Sequence, residues 1–237
     1  MIDFTHQKIL VIGGSSGIGF STAVIAASLG AHVTIASRTA AKVEAAAKKV
    51  DANTAGCVLD VTDDQSVQNF FSAGTSWDHI IVTGSDVKIG PVRDLPFDTA
   101  RAAFNSKYWG FYRVARAANI RPGGSLEVIA GFLATRPAAG RALMGSINGA
   151  IESLVQGLAL ELKPVRVNAV SPGAVQTEMW NALAPEAREA MFAKVAATYP
   201  AGCIGQPQYI AHQLLLLAAT PYATGTIVTL DGGASIA

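Results

Sequence analysis

The chain has 237 residues, enough for one α/β domain to bury roughly 70% of the surface that its unfolded form exposes. Half of the residues are hydrophobic, 15% are charged and the formal net charge is +1, with Lys and Arg spread along the chain. That balance excludes a disordered chain and offers no basic field for nucleic acid or an anionic membrane.

Cys57 and Cys203 are isolated, without CxxC spacing, and His6, His32, His79 and His212 form no ligand pair, so neither a disulfide framework nor a metal site is expected. Residues 1–8 are polar and run straight into a strand, with no apolar core or cleavage site of a secretory signal, which makes the cytoplasm the expected location. The apolar run Leu214–Ala219 falls far short of the roughly 20 residues of a spanning helix, so no membrane segment is expected.

Apolar runs bounded by turn residues predict strands at Ile9–Ile12, His32–Ala36, Gly56–Leu59, His79–Thr83, Ser125–Ile129, Arg166–Val170 and Thr226–Leu230. Between most of them lie Ala-rich stretches of helical period: Gly19–Leu29, Ala40–Val50, Asp64–Phe71, Thr99–Ala118 and Ser146–Leu162. Alternation of this kind predicts a single doubly wound α/β domain over residues 1–237, a seven-stranded parallel sheet with helices on both faces and right-handed crossovers. Residues 176–207 interrupt it with a helical insert carrying Met179, Trp180, Met191 and Phe192. Such an insert suits a lid over a pocket, and suits an ordinary surface helix pair equally.

The first strand turns through Gly13, Gly14, Ser15, Ser16, Gly17, Ile18 and Gly19 into an apolar helix. Gly13 permits the tight turn, Gly17 lets backbone approach a pyrophosphate, and Gly19 allows helix and strand to pack closely, while the bare amides of the helix start attract the anion. At the end of the second strand stand Ala36, Ser37 and Arg38, where an acid would bond a ribose 2′-OH and repel a 2′-phosphate. With no acid there and a guanidinium able to grip phosphate, NADP(H) is favoured over NAD(H), the alternative being that Arg38 is a solvated strand-end residue.

The spacing Gly-x-x-x-Gly-x-Gly, Leu59-Asp60-Val61, the segment VRVNAVSPGAVQT and the later GQPQYIA and TGTIVTLDGG occur in an order that resembles the short-chain dehydrogenase/reductase family nearly end to end. The resemblance implies that Asp60 and Val61 approach the adenine, that Gly84 and Ser85 belong to the loop after the fourth strand, and that Pro172, Gly173, Val175 and Thr177 flank the nicotinamide. It also implies a homodimer or homotetramer built on the helices at Thr99–Ala118 and Ser146–Leu162. Two departures fall together: the family's Thr in the first strand is Ile12, and its Asn-Asn-Ala-Gly reads Thr83, Gly84, Ser85, Asp86. Changing both members of such a pair is nearly neutral, whereas losing one costs about 1–3 kcal/mol.

The family's reaction uses a Tyr to protonate the nascent alkoxide, a Lys four residues later, an upstream Ser and an Asn on the preceding helix. Here the resemblance places Asn105 at the Asn, Gly131 at the Ser, Met144 at the Tyr and Asn148 at the Lys, and no YxxxK occurs. A thioether donates no proton, and a positioned acid contributes about 10²–10⁴-fold, so ordinary ketone reduction is expected to be poor. Among substitutes, Arg141 does not release protons, Ser146 points elsewhere on its helix, and of Lys107 and Tyr108 the phenol is the better donor unless it is simply packed.

Three functions follow. The first is an NADP(H)-dependent oxidoreductase passing hydride to a small carbonyl, quinone or conjugated acceptor, in a pocket of Phe132, Leu133, Met144 and Trp180 suited to an apolar or aromatic molecule. The second is a catalytically silent dinucleotide-binding sensor or scaffold. The third is an empty structural relative, in which Phe20 narrows the phosphate channel.

Overall fold

The computed structural model describes residues 2–237. Seven strands, β1 (Lys8–Ile12), β2 (His32–Ser37), β3 (Ala55–Val58), β4 (Trp77–Val82), β5 (Ile120–Ile129), β6 (Arg166–Pro172) and β7 (Ile227–Leu230), form one parallel sheet in the order β3-β2-β1-β4-β5-β6-β7. Strand order reverses between β1 and β4, whose registers pair Ile9 with His79 and Ile12 with Val82. In an open parallel sheet, the crevice beyond the C-terminal ends of the strands at such a reversal is where ligands bind.

Period-2 alternation divides the side chains between two cores. Leu10 and Ile12 of β1 join Ile80, Val82, Leu126 and Val128 against α3 (Asp64–Ser72), α5 (Gly110–Ala117) and α6 (Ala142–Glu161), through Val67, Phe71, Phe111, Val114, Ile151 and Val155. Ile9 and Val11 face the opposite way, to α1 (Gly17–Ser28), α2 (Ala40–Val50) and α8 (Pro207–Ala219), through Ala23, Ala26, Val43, Ile210 and Leu214. No described helix is long and apolar enough to cross a membrane.

Two elements depart from the sequence expectation. The helix expected over Thr99–Ala118 is broken into α4 (Phe97–Phe104) and α5 by a π-helical turn at Asn105–Trp109, and α8 covers a stretch for which the apolar run alone predicted no helix. The insert contains a 3-10 turn (Glu178–Ala182) and α7 (Pro185–Thr198), and neither buries a residue.

On the α8 face of the sheet the core also encloses polar groups of β4, β5 and β6. Arg166 donates to the carbonyls of Leu217, Ala218, Thr220 and Ala223, closing the C-terminal end of α8. His79 lies between Ser125 Oγ (2.7 Å) and Gln7 Oε1 (2.8 Å), and burial, with Arg166 adding to it, holds its pKa down at about 4. Glu127, wholly buried on β5, finds no hydrogen-bond partner for either oxygen. Burial pushes its carboxyl up to about 8 against the opposing pull of Ser125, Arg166 and Asn168, so it is neutral at neutral pH.

Because the unfolded chain ionises Glu127 near the ordinary carboxylate value while the folded protein does not, stability is lost as pH rises from that value to about 8. Glu127→Gln removes this loss. Its unfolding free energy, from denaturant titration, is expected to gain on that of wild type by a margin that widens between pH 5 and pH 8, at about 1.4 kcal/mol per pH unit at most. A margin independent of pH would show that Glu127 is ionised in the fold.

Candidate active site

A groove of about 670 Å³ opens at the reversal point, along the C-terminal ends of β1, β2 and β4. Its floor is the turn from β1 into α1. Gly13 and Gly17 take left-handed backbone, with φ of 84° and 53°. A Cβ on Gly19 would lie 2.3 Å from the Gly13 carbonyl oxygen and 2.5 Å from Thr83 Oγ1, so only glycine lets α1 start this close to the sheet. Ser16 precedes α1 without a capping bond from its side chain, which leaves the first-turn amides of Gly17, Ile18 and Gly19 for an anion.

The two departures noted in the sequence meet here. The Ile12 carbonyl accepts from Thr83 N (2.9 Å), Thr83 Oγ1 (3.1 Å) and Gly84 N (3.3 Å), so the hydroxyl that ties β1 to β4 comes from β4.

Of the expected cofactor residues, Gly13, Ser15, Ser16, Ser37, Arg38, Val61, Gly84 and Ser85 line the groove. Gly17 faces Thr177, whose Cγ2 is 3.3 Å from where its Cβ would stand. Asp60 does not line it: Oδ1 accepts from Thr62 N (2.9 Å) and Thr62 Oγ1 (2.7 Å), and Leu59, Val61 and Thr62 form the wall instead. Pro172 ends β6, Gly173 N donates to Leu230 O, and Val175 bridges Gly205. Phe20 stands in the groove as expected.

Sequence reasoning passed over Thr39, Lys42, Lys49, Asp86 and Glu178, all of which line the groove. Lys42 lies in the first turn of α2, four residues after Arg38. Ser37 Oγ is buried and unpartnered, as suits a strand end that meets a ligand hydroxyl or phosphate. Across the groove Asp86 faces Arg38 (3.9 Å) and Lys88 (3.6 Å), in exposed pairs of little strength.

Deeper along β5 and α6 the arrangement differs from the one the resemblance implied. Asn105 is turned aside, its amide donating to Thr62 O (3.3 Å). The π-helical turn instead carries Lys107 inward, where its ammonium donates to Asn148 Oδ1 (2.6 Å) and Ala130 O (2.8 Å). Burial draws the Lys107 pKa down to about 8, with the Glu152 charge working against that fall. Glu152, one turn beyond Asn148 on α6, accepts from Ser171 Oγ (3.0 Å), and burial raises its pKa. The Asn148 amide nitrogen fills the space that a side chain on residue 131 would need, 2.5 Å from the ideal Cβ of Gly131. Tyr108 packs against the core and stacks edge-on with Phe104 and Trp109. Met144, Phe132 and Leu133 are half-buried, and Trp180 Nε1 donates to Val175 O (2.8 Å).

The family profile described as "Enoyl-(Acyl carrier protein) reductase" matches residues 13–235. A short-chain dehydrogenase/reductase of Stachybotrys chlorohalonatus is 34% identical across 96% of each chain. The chain belongs to the short-chain dehydrogenase/reductase family.

A 3-oxoacyl-(acyl-carrier-protein) reductase of Pseudomonas aeruginosa is a further relative, 30% identical over 94% of this chain and 95% of its own. Among solved structures, a small-chain dehydrogenase in complex with NADPH shares 33% identity and a TM-score of 0.85, covering 98% of this chain and all of that one. An NADPH-bound short-chain oxidoreductase of P. aeruginosa PAO1 containing an atypical catalytic center reaches a TM-score of 0.91 at 23% identity, a likeness of fold alone.

In this short-chain dehydrogenase/reductase the floor tolerates no added methyl. Gly19→Ala forces α1 away from the Gly13 carbonyl and is expected to lower stability by about 1–3 kcal/mol, the range for overpacking. Calorimetry with NADPH should lose its binding heat in the same variant, and full retention of both would mean that the turn is not the floor.

Proposed function

We propose that the protein is an NADP(H)-dependent oxidoreductase that passes hydride to a small carbonyl, quinone or conjugated acceptor through a non-standard catalytic centre. The observation that carries this reading is the groove itself: free amides at the start of α1, unpartnered Ser37 Oγ and cationic Arg38 after β2, where the strand end itself carries no acid and the nearest carboxylate, Asp86, stands across the groove. NADPH in the structure of a relative at 33% identity supports the same cofactor.

In this reading the amides of Ser15, Ser16, Gly17, Ile18 and Gly19 hold the pyrophosphate, and Ser37, Arg38 and Lys42 hold the 2′-phosphate. Val61, Gly84 and Ser85 face the adenosine, and Pro172, Gly173, Val175 and Thr177 flank the nicotinamide end. The cofactor, when bound, supplies the hydride. Gly131, Met144 and Asn148 stand in the places of the family's Ser, Tyr and Lys, so no phenol is available there to protonate an alkoxide. The half-buried Phe132, Leu133 and Met144 suit an apolar or aromatic substrate, with the segment 176–207 closing over it. A homodimer or homotetramer follows the family's habit.

The missing phenol also favours a second reading, a catalytically silent dinucleotide-binding sensor or scaffold. A panel of quinones, diketones and enones with NADPH separates the two: binding without NADPH oxidation selects the sensor.

The cofactor preference has its own test. Removing one guanidinium from a phosphate costs about 1.5–3 kcal/mol. Arg38→Ala is therefore expected to weaken NADPH binding by about 10–100-fold while leaving NADH within a few-fold. Equal losses for both cofactors would show that Arg38 does not meet the 2′-phosphate.

A further inference from the structure

Three departures from the family's centre are consistent with one another in space. Residue 131 is a glycine, residue 148 is an asparagine, and a lysine enters from the π-helical turn at residue 107. Lys107 has only donors, so its contact with Asn148 fixes Oδ1 as the acceptor and directs Nδ2 into the hollow that Gly131 leaves. A serine at 131 would displace that amide. With two of its three N–H groups spent on Ala130 O and Asn148 Oδ1, the Lys107 ammonium keeps one for a further acceptor.

We propose that Lys107 and Asn148 form a substitute catalytic pair, in which Asn148 Nδ2 binds the carbonyl oxygen of the substrate and the Lys107 ammonium protonates it. This rests on the oxidoreductase reading and adds the acid that reading lacks. Hydride from the reduced nicotinamide bonds to the carbonyl carbon, and the C=O π pair moves onto oxygen. An N–H bond of Lys107 breaks, its proton goes to that oxygen, and the amine left behind regains a proton from water. The carbonyl is reduced to an alcohol and the nicotinamide is oxidised.

An ammonium drawn down to about 8 is a stronger acid than an ordinary phenol and lies close to neutral pH, where general acids work best. The groups that face it are few. From β5 it meets the Ala130 carbonyl, and from α6 the Asn148 amide and the Glu152 carboxylate. On its own turn, Asn105 is bound to Thr62 O, and Ser106 Oγ to the backbone of Asp86 and Ala103. Glu152, held by Ser171, is a positioning residue: its charge keeps Lys107 protonated. Lysine chemistry then extends the acceptors to ketones, which leave an alkoxide in need of a proton.

The test compares wild type, Lys107→Met, Lys107→Arg and Glu152→Gln. With NADPH and a ketone panel, Lys107→Met should lose about 10²–10⁴-fold in kcat/KM. Its NADPH affinity by calorimetry should stay within about twofold, which also shows that it is folded. Lys107→Arg, which cannot release a proton, should be impaired to a similar degree. Wild-type kcat/KM should fall above about pH 8, and in Glu152→Gln that fall should begin at lower pH. Independently of turnover, the [ε-¹³C]lysine resonance that vanishes in Lys107→Met should titrate near pH 8, and lower in Glu152→Gln. Undiminished ketone reduction by Lys107→Met, or titration in the usual lysine range, overturns the pair while leaving the oxidoreductase reading intact. NADPH binding by wild type with no acceptor reduced removes that reading, and the acid with it.

Discussion

The carbonyl of Ile12 is where the architecture of the site begins. Three donors from β4 converge on it within 3.3 Å, and they hold the ends of β1 and β4 at the one place where the order of strands reverses. Gly13 follows immediately, so close to Gly84 that a Cβ would lie 2.3 Å from its nitrogen, and Gly19 is equally tight against Gly13. The strand ends and the start of α1 are thus locked by backbone contact and the Thr83 hydroxyl, without long side chains that change rotamer. A floor of this kind can present bare amides because nothing else competes for the space above it.

The same economy governs the centre beyond it. A π-helical turn adds one residue between two helices of ordinary pitch, and such turns rotate the side chains that follow. Gly110 seats α5 against Val61, its virtual Cβ only 2.8 Å from Cγ2, and Ser106 is tied to the backbone of Asp86. Held at both ends, the turn delivers Lys107 to the interior and leaves Asn105 at its margin. An asparagine on α6 thus faces a lysine on the π-helical turn, the amide oxygen accepting from the ammonium.

Much of this was legible in the residues. Apolar runs bounded by turn residues marked all seven strands, because central strands buried on both faces have little choice of composition, and Gly13, Gly17 and Gly19 marked the floor because their spacing has few other uses. Lys107 was not legible in the same way. A uniform helical period over Thr99–Ala118 points Asn105 and Lys107 to different faces and says nothing of the extra residue that rotates them. Asp60, expected at the adenine, also closes a local turn with Thr62, as aspartates after strands often do.

Burial is unevenly shared between the floor and the insert. Neither the 3-10 turn at Glu178–Ala182 nor α7 buries a residue, whereas β1, β4 and β6 are almost wholly enclosed. The stems of the insert are nonetheless fastened: Val175 bridges Gly205, Gln176 N donates to Gly205 O, and Gly205 N to Ala174 O. Trp180 reaches back to the Val175 carbonyl and meets Phe192 edge-on, so the insert coheres internally more than it adheres to the domain. A segment with fixed ends and little buried surface opens at small free-energy cost. That property suits the proposed role of the insert as a cover over an apolar pocket.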